Sequence, residues 1–145
     1  FALMAIENTL AGSLMPNYNL LRENNFKVIG EVYLHIVQNL MALPGTKIED
    51  LKEVHSHPVA LAQTKPFFEK HPSIKIVEHA DTALSAKEIA EGAIHGRGAI
   101  ASRHAARVFG LDIIAPSIET HKKNFTRFLV LGNSANSHIA VKNSN

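Results

Sequence analysis

Residues Asn124-Phe125-Thr126-Arg127-Phe128-Leu129-Val130-Leu131 set an amide, a hydroxyl and a guanidinium immediately before an apolar run rich in strand formers. Such a run reads as a buried strand, and groups at its start lie at the strand's mouth, where α/β proteins keep their sites. Two readings stand side by side. In one, Thr126 and Arg127 carry chemistry. In the other, Thr126 merely suits a strand and Arg127 makes an ordinary surface ion pair.

Working outward, the chain before this stretch alternates strand and helix. Strands are expected over 74–77, 98–101 and 111–115, with a helix over about 83–95 capped by Asp81 or Thr82 and closed by Gly96. Ser102 caps a second helix over 103–109, which Gly110 ends. Strand, helix, strand at this spacing implies a parallel pair joined by a right-handed crossover. Earlier, His57-Pro58 opens a helix in which Ala60, Thr64 and Phe67 recur at helical spacing, and Pro66 should kink or restart it by clashing with the Ala62 carbonyl.

The first part of the chain is less regular. The run 1–6 is continuously apolar and reads as a buried strand ending in Glu7-Asn8. Small residues through Gly12-Ser13 then form a turn whose free amides could hold a carboxylate, and 16–22 reads as a helix. The segment 26–41 has long strand character, with Gly30-Glu31 marking a bend or a crossing between subdomains. Leu43-Pro44-Gly45-Thr46 is turn chemistry, followed by a single helical turn over 48–52 and a short strand over 54–56. After Gly132 the composition becomes Asn- and Ser-rich, so 133–145 reads as a polar linker.

Composition bounds the function. At 145 residues, with 46% hydrophobic content, the chain can bury a core and is not of disordered type. Its net charge of +2 comes from scattered Lys and Arg, so no basic patch points to nucleic acid. No apolar run approaches the roughly 20 residues of a membrane helix, so no membrane partner is expected. Cysteine is absent, which excludes disulfides and thiolate metal sites and suits a reducing compartment, the cytoplasm by default. The nine His include one close pair, His55-x-His57, and no His-Glu-x-x-His helix, so no metal site is expected. Asn124-Phe125-Thr126 also matches a glycosylation acceptor, a match without consequence in the cytoplasm. Opening inside an apolar segment without an initiator Met, the sequence reads as a piece of something longer.

Polar clusters flank the expected strands: Glu7-Asn8-Thr9 with Gly12-Ser13, Ser56-His57-Pro58 with Gln63, and Asn124 with Thr126-Arg127. In a twisted α/β sheet such ends can converge on one cleft suited to an anion. A nucleophilic triad is disfavoured because Gly-x-Ser-x-Gly is missing and Ser56-His57 are neighbours rather than an oriented pair. A phosphate loop is missing too.

In order and spacing, Ile6-Glu7-Asn8-Thr9-x-Ala11-Gly12-Ser13, Gly30-Glu31, Pro44-Gly45, Ser56-His57-Pro58-x-Ala60-Leu61-Ala62-Gln63, Ala99-Ile100-Ala101-Ser102 and Asn124-x-Thr126-Arg127-Phe128 resemble prephenate dehydratase, over about residues 3–131. The resemblance implies an α/β fold of two lobes, similar to the type II periplasmic-binding-protein architecture, with lobe 1 from 1–29 and 118–132 and lobe 2 from 30–117. Lobe 2 would be a parallel or mixed sheet flanked by helices, and lobe 1 would be incomplete. It implies conversion of prephenate to phenylpyruvate without a cofactor, in a homodimer or higher homo-oligomer. Thr126 matches the family's catalytic threonine, with Arg127 beside it. Asn8, Ser56 and Gln63 match its substrate positions, and Thr9, Gly12, Ser13, His57 and Phe128 complete those motifs. Asp81 follows the middle strand at a spacing that differs from the family's.

A Gly-Thr-Phe-Ser-type motif would precede Phe1, so the 145-residue piece alone is expected to be inactive or nearly so, and a phenylalanine-sensing ACT domain would follow the linker, so feedback regulation is not readable from this piece. The rival expectation is a noncatalytic two-lobed module that closes on a small carboxylate ligand.

Overall fold

The computed structural model describes residues 1–132, so the expected linker over 133–145 lies outside the described residues. The chain forms two compact units, Phe1–Ile36 with Lys123–Asn145, and Val37–Lys122. The α/β class is as expected, but the division falls at 36/37 and 122/123 rather than at 29/30 and 117/118.

The first unit holds strands β1 (Ala2–Asn8), β2 (Gly12–Ser13), β3 (Lys27–His35) and β9 (Phe125–Gly132), with helix α1 (Met15–Glu23). Its four-stranded sheet has the order β2-β1-β9-β3, and every pairing is antiparallel. The stretch read first in the sequence is therefore an inner strand. β9 pairs with β1 from Ala2↔Leu131 to Asn8↔Thr126, and with β3 from Lys27↔Gly132 to His35↔Phe125.

That second ladder explains the shifted boundary. β3 runs through Gly30-Glu31 without a break, and the glycine follows a bulge between Val28 and Gly30 instead of marking a crossing. Glycine can signal a bulge, a bend or a close approach, and the sequence alone does not choose among them.

Burial in this sheet is one-sided. Ile6, Leu129 and Leu131 pack with Tyr18 and Leu21 of α1. Leu3 of β1 and Phe1 just before it are by contrast 64% and 70% exposed, so the apolar run 1–6 is a strand buried on one face only, at Ile6. Among the described residues of this unit a single helix covers the sheet, which leaves Leu3, Val32 and Leu34 exposed.

The second unit is a five-stranded mixed sheet, order β6-β5-β7-β4-β8. Its strands are β4 (Asn39–Ala42), β5 (Glu53–Ser56), β6 (Lys75–Glu78), β7 (Arg97–Ala101) and β8 (Asp112–Ala115). Helices α2 (Pro58–Phe68), α3 (Thr82–Gly92) and α4 (Arg103–Phe109) connect them, with a 3-10 turn at Ile48–Asp50. β5 is parallel to β6 and β7, whereas β4 is antiparallel to both β7 and β8. The expected crossovers join parallel strands, but not neighbours: β5 lies between β6 and β7, and β4 between β7 and β8.

β4 is buried along its whole length, as a strand covered on both faces must be. Leu40 and Ala42 pack with Ala60, Leu61 and Phe68 of α2, while Met41 packs with Ala86 and Ile89 of α3 and Ala105 and Ala106 of α4. The period-2 alternation thus assigns alternate residues of one strand to two cores.

Two helix ends differ from expectation. α2 continues through Pro66 to Phe68 without restarting, because the proline falls in the last turn, where few hydrogen bonds remain to be lost. α3 stops at Gly92 instead of near His95, and its cap is Ala93 at φ 45° rather than a glycine. A left-handed residue with a Cβ costs about 1–2 kcal/mol. Ala93→Gly should therefore stabilise the protein by about 1 kcal/mol, read as a higher midpoint of denaturant unfolding at unchanged slope.

Candidate active site

The β1–β2 turn shows how the first unit sets its polar groups. Asn8 ends β1 opposite Thr126, and its carboxamide is used at both ends. Oδ1 accepts from the backbone N–H groups of Leu10 and Ala11, each at 3.0 Å. Nδ2 donates to Asn124 Oδ1 and to Thr126 Oγ1, each at 2.9 Å, with Phe125 O at 3.3 Å.

Thr9 adds a reciprocal clasp. Its N–H and hydroxyl donate to Phe125 O at 2.9 and 3.0 Å, and its hydroxyl oxygen accepts from Phe125 N–H at 3.1 Å. The amides expected to be free for a carboxylate are thus already paired within the turn. Gly12 takes φ +77° at its close, and Ser13 is exposed on the edge strand β2.

Thr126 is the group with chemical freedom. Its oxygen accepts from Asn8, and its hydroxyl hydrogen has no acceptor among the described residues. A hydroxyl held this way is an oriented donor. Phe128 is two residues on, on the same face of β9 and opposite Ala5 and Val32. A recess of about 370 Å³ lies at this end of the sheet, bounded by Glu7, Asn8, Thr9, Tyr33 and Phe125 with Arg127.

Arg127 is placed differently from the catalytic role expected of it. Strand alternation turns it to the face opposite Thr126. There its Nε and one Nη reach Glu31 Oε2 at 2.8 and 2.6 Å, with Glu7 Oε2 at 3.8 Å and the Tyr33 ring centroid at 6.0 Å. The hydrogen bond to Glu31 and that carboxylate's charge raise its already high pKa against slight desolvation. The surface ion pair is the reading that the geometry supports.

Ser56, His57 and Gln63 belong to the second unit. Ser56 is fully buried, and its hydroxyl donates to Ile100 O at 2.7 Å, so it ties β5 to β7 rather than facing a ligand. His57 is the cap of α2: Nδ1 accepts from Val59 N–H at 3.2 Å, which in the neutral ring puts the proton on Nε2. Ser56 and His57 are therefore not a nucleophile and its base. Gln63 Oε1 accepts from Gln38 Nε2 at 3.1 Å. Asp81 caps α3 through Leu84 N–H at 2.8 Å, which accounts for it without a site role.

Sequence reasoning placed Asn124 in a polar cluster without giving it a role, and it missed Gln38 and Glu119. Asn124 was visible as the polar residue preceding the strand, and it is fully buried beside Asn8. Glu119, 2% exposed, sits in the connector that reads as merely polar; an acidic residue directly after Ile118 was the available signal. Burial pushes its carboxyl up, but donors from Ser117 and Gln38 together with the Lys122 charge outweigh that and hold it below its ordinary value. Glu53 is also lowered, first by the hydrogen bond from Arg97, against desolvation, and with help from His55.

The prephenate dehydratase family model matches residues 1–136. The chain belongs to the prephenate dehydratase family. It is 46% identical over 132 residues to arogenate dehydratase 2 of Petunia hybrida, covering 90% of this chain and 33% of that protein. It is 43% identical over 132 residues to the chloroplastic arogenate dehydratase/prephenate dehydratase 2 of Arabidopsis thaliana, covering 90% and 34%. Among solved structures, the prephenate dehydratase of Arthrobacter aurescens in complex with L-Phe superposes with a TM-score of 0.78 at 27% identity, over 88% of this chain and 43% of that one. A structure described as GqqA, a novel type of quorum quenching acylases, has the same TM-score at 33% identity, over 88% and 46%. The chain spans about a third of the length of these curated relatives and under half of these solved chains.

Within this prephenate dehydratase-family chain, the two lowered carboxyls contribute to the acid limb of stability. A group whose folded pKa is depressed contributes stability above its unfolded value, about 4.3 for Glu, and loses it as pH falls through the folded value. Unfolding should therefore become easier below about pH 4. Glu53→Gln should flatten that dependence, read as a smaller change in the thermal midpoint between neutral and acid pH.

Proposed function

We propose that the protein to which this chain belongs is a lyase that dehydrates and decarboxylates prephenate to phenylpyruvate, with Thr126 as the hydroxyl that serves the departing oxygen. The observation behind this is the 2.9 Å bond from Asn8 Nδ2 to Thr126 Oγ1, which occupies the oxygen and leaves the hydrogen to donate.

The chemistry asks for little more than orientation and a donor. The bond from the ring carbon to its carboxylate breaks, CO₂ departs, and those electrons move through the ring as the ring hydroxyl leaves with a proton as water. The product ring is aromatic, so the step is strongly downhill. A threonine hydroxyl is too weak an acid to hand over its proton unaided, so Thr126 acts as a hydrogen-bond donor to the leaving oxygen and as a relay for a proton from solvent. A placed donor of this kind is worth about 10²- to 10⁴-fold. Ser56, whose hydroxyl is spent on Ile100 O, ties β5 to β7 and takes no part in this reading.

A second substrate is favoured by the relatives: the Petunia protein is named an arogenate dehydratase and the Arabidopsis protein carries both names. Arogenate has an amino acid group where prephenate has a keto acid, and the same elimination would give phenylalanine. A homodimer or higher homo-oligomer belongs to this proposal, as does a cytoplasmic location drawn from the cysteine-free composition. The plastid is the competing compartment, since the Arabidopsis relative is named chloroplastic.

Supplying prephenate and arogenate separately and following phenylpyruvate and phenylalanine tests the reading. Thr126→Val should leave ligand binding within about twofold while turnover falls about 10²-fold or more. Binding without turnover in the unaltered protein would favour the noncatalytic carboxylate-binding module. Undiminished turnover in Thr126→Val would remove Thr126 from the mechanism.

A further inference from the structure

The ladders of the first unit stack residues of β1, β9 and β3 into three cross-strand rows on one face: Leu3-Val130-Gly30, Ala5-Phe128-Val32 and Asn8-Thr126-Leu34. Residues paired directly across strands point to the same side, so this is the face turned away from α1. None of these residues is buried, whereas Ile6, Leu129 and Leu131 beneath α1 are at most 9% exposed.

The two faces also differ in charge. Glu7, Glu31 and Arg127 make their ion pairs on the α1 side. The three rows opposite contain no Asp, Glu, Lys or Arg, and their polar side chains, Asn8 and Thr126, stand together at one end. Acidic and basic residues are almost never fully buried unless paired, so an apolar face without them suits permanent cover rather than water.

The size of the face decides what the cover is. Two strand spacings make it about 10 Å across, and the rise from Thr126 to Val130 makes it about 14 Å long. One helix, about 10 Å in diameter and about nine residues long at 1.5 Å each, matches that plan. A stable contact between separate chains takes about 800 Å² from each partner, several times what this patch offers, so a second copy seated here would hold weakly. A tethered segment needs less, because the tether supplies effective concentration in place of affinity. Chain is available for it: the matched residues are 33% of the Petunia relative and 34% of the Arabidopsis one. The Asn- and Ser-rich sequence 133–145, with Ile139 and Val141 as its large apolar residues, lacks the stripe such a helix presents.

We propose that this face is covered by one amphipathic helix of the same polypeptide, drawn from outside residues 1–145. Its apolar stripe lies over the first two rows and Leu34, and one end of it comes beside the Thr126 hydroxyl.

A chain without cysteine makes the test direct. In the full-length protein, freed of any other thiols, Leu3→Cys, Val32→Cys and Leu34→Cys are made one at a time and treated with a maleimide. Each thiol should react about a hundredfold or more slowly than in the same variant unfolded in denaturant, because the reagent must wait for local opening. That ratio should survive dilution. A photo-activatable reagent installed on the same thiols over longer times should insert into the same polypeptide, beyond residues 1–145, at positions three or four apart. Labelling near the unfolded rate would overturn the inference by showing a bare face. Protection lost on dilution, or insertion into a second molecule, would overturn it in favour of a second copy. Insertion at every second residue would replace the helix by a strand, and insertion confined to residues 1–145 would remove the outside segment altogether. A variant that does not fold leaves the other two to decide, since each thiol belongs to a different row.

Discussion

The Asn8 carboxamide accepts from two turn amides and donates across to the strand that begins with Thr126, so one side chain both closes the β1–β2 turn and fixes the partner strand. Every backbone group withdrawn from water there must find a partner. Asn8 and Thr9 supply those partners, and the β1–β9 register, Asn8↔Thr126, follows from them. A slip of one residue would turn Thr126 to the other face and bring Arg127 in its place. The chemistry of the first unit therefore depends on a register set by an amide.

The same economy appears in the second unit with different groups. A backbone donor on Gln38, a carbonyl on Gln63 and a carboxylate on Glu119 are held together by a connector without regular structure. Irregular backbone that is buried needs side chains to replace the missing ladder. Asn39 and Glu119 serve that need, with the exposed Ser117 as their partner, which is why the buried polar residues Gln38, Asn39 and Glu119 cluster at the start of β4 and its facing connector.

What could be read in the sequence follows from how local its causes are. Asp81, Ser102 and Gly110 act on backbone groups within a few residues, and the structure has them as the caps expected. The six spaced motifs point to the family that the comparison shows. Sheet order was not legible, because β4 enters between β7 and β8 from far back in the chain and nothing local announces it. The unit boundary was misplaced for a similar reason: Gly30 has the same local signature in a bulge as in a crossing, and only pairing with β9 decides. Ser56 was legible as important but not as buried, since its partner is the carbonyl of Ile100, 44 residues away.

Arg127 shows how the alternation of one strand separates two kinds of electrostatics. Thr126 faces neutral groups, the amides of Asn8 and Asn124, while the adjacent residue turns a full charge to the opposite face against Glu31 and Glu7. A cation beside the Thr126 hydroxyl would bind a dianionic substrate equally in its ground and transition states, which tightens binding without speeding the reaction. A neutral donor aimed at one oxygen strengthens only as charge develops there. On the proposed chemistry, the pairing of Arg127 with carboxylates on β1 and β3 is therefore part of the arrangement: it keeps the strand's charge satisfied within the sheet and leaves a hydroxyl, oriented by an amide, to meet the leaving oxygen.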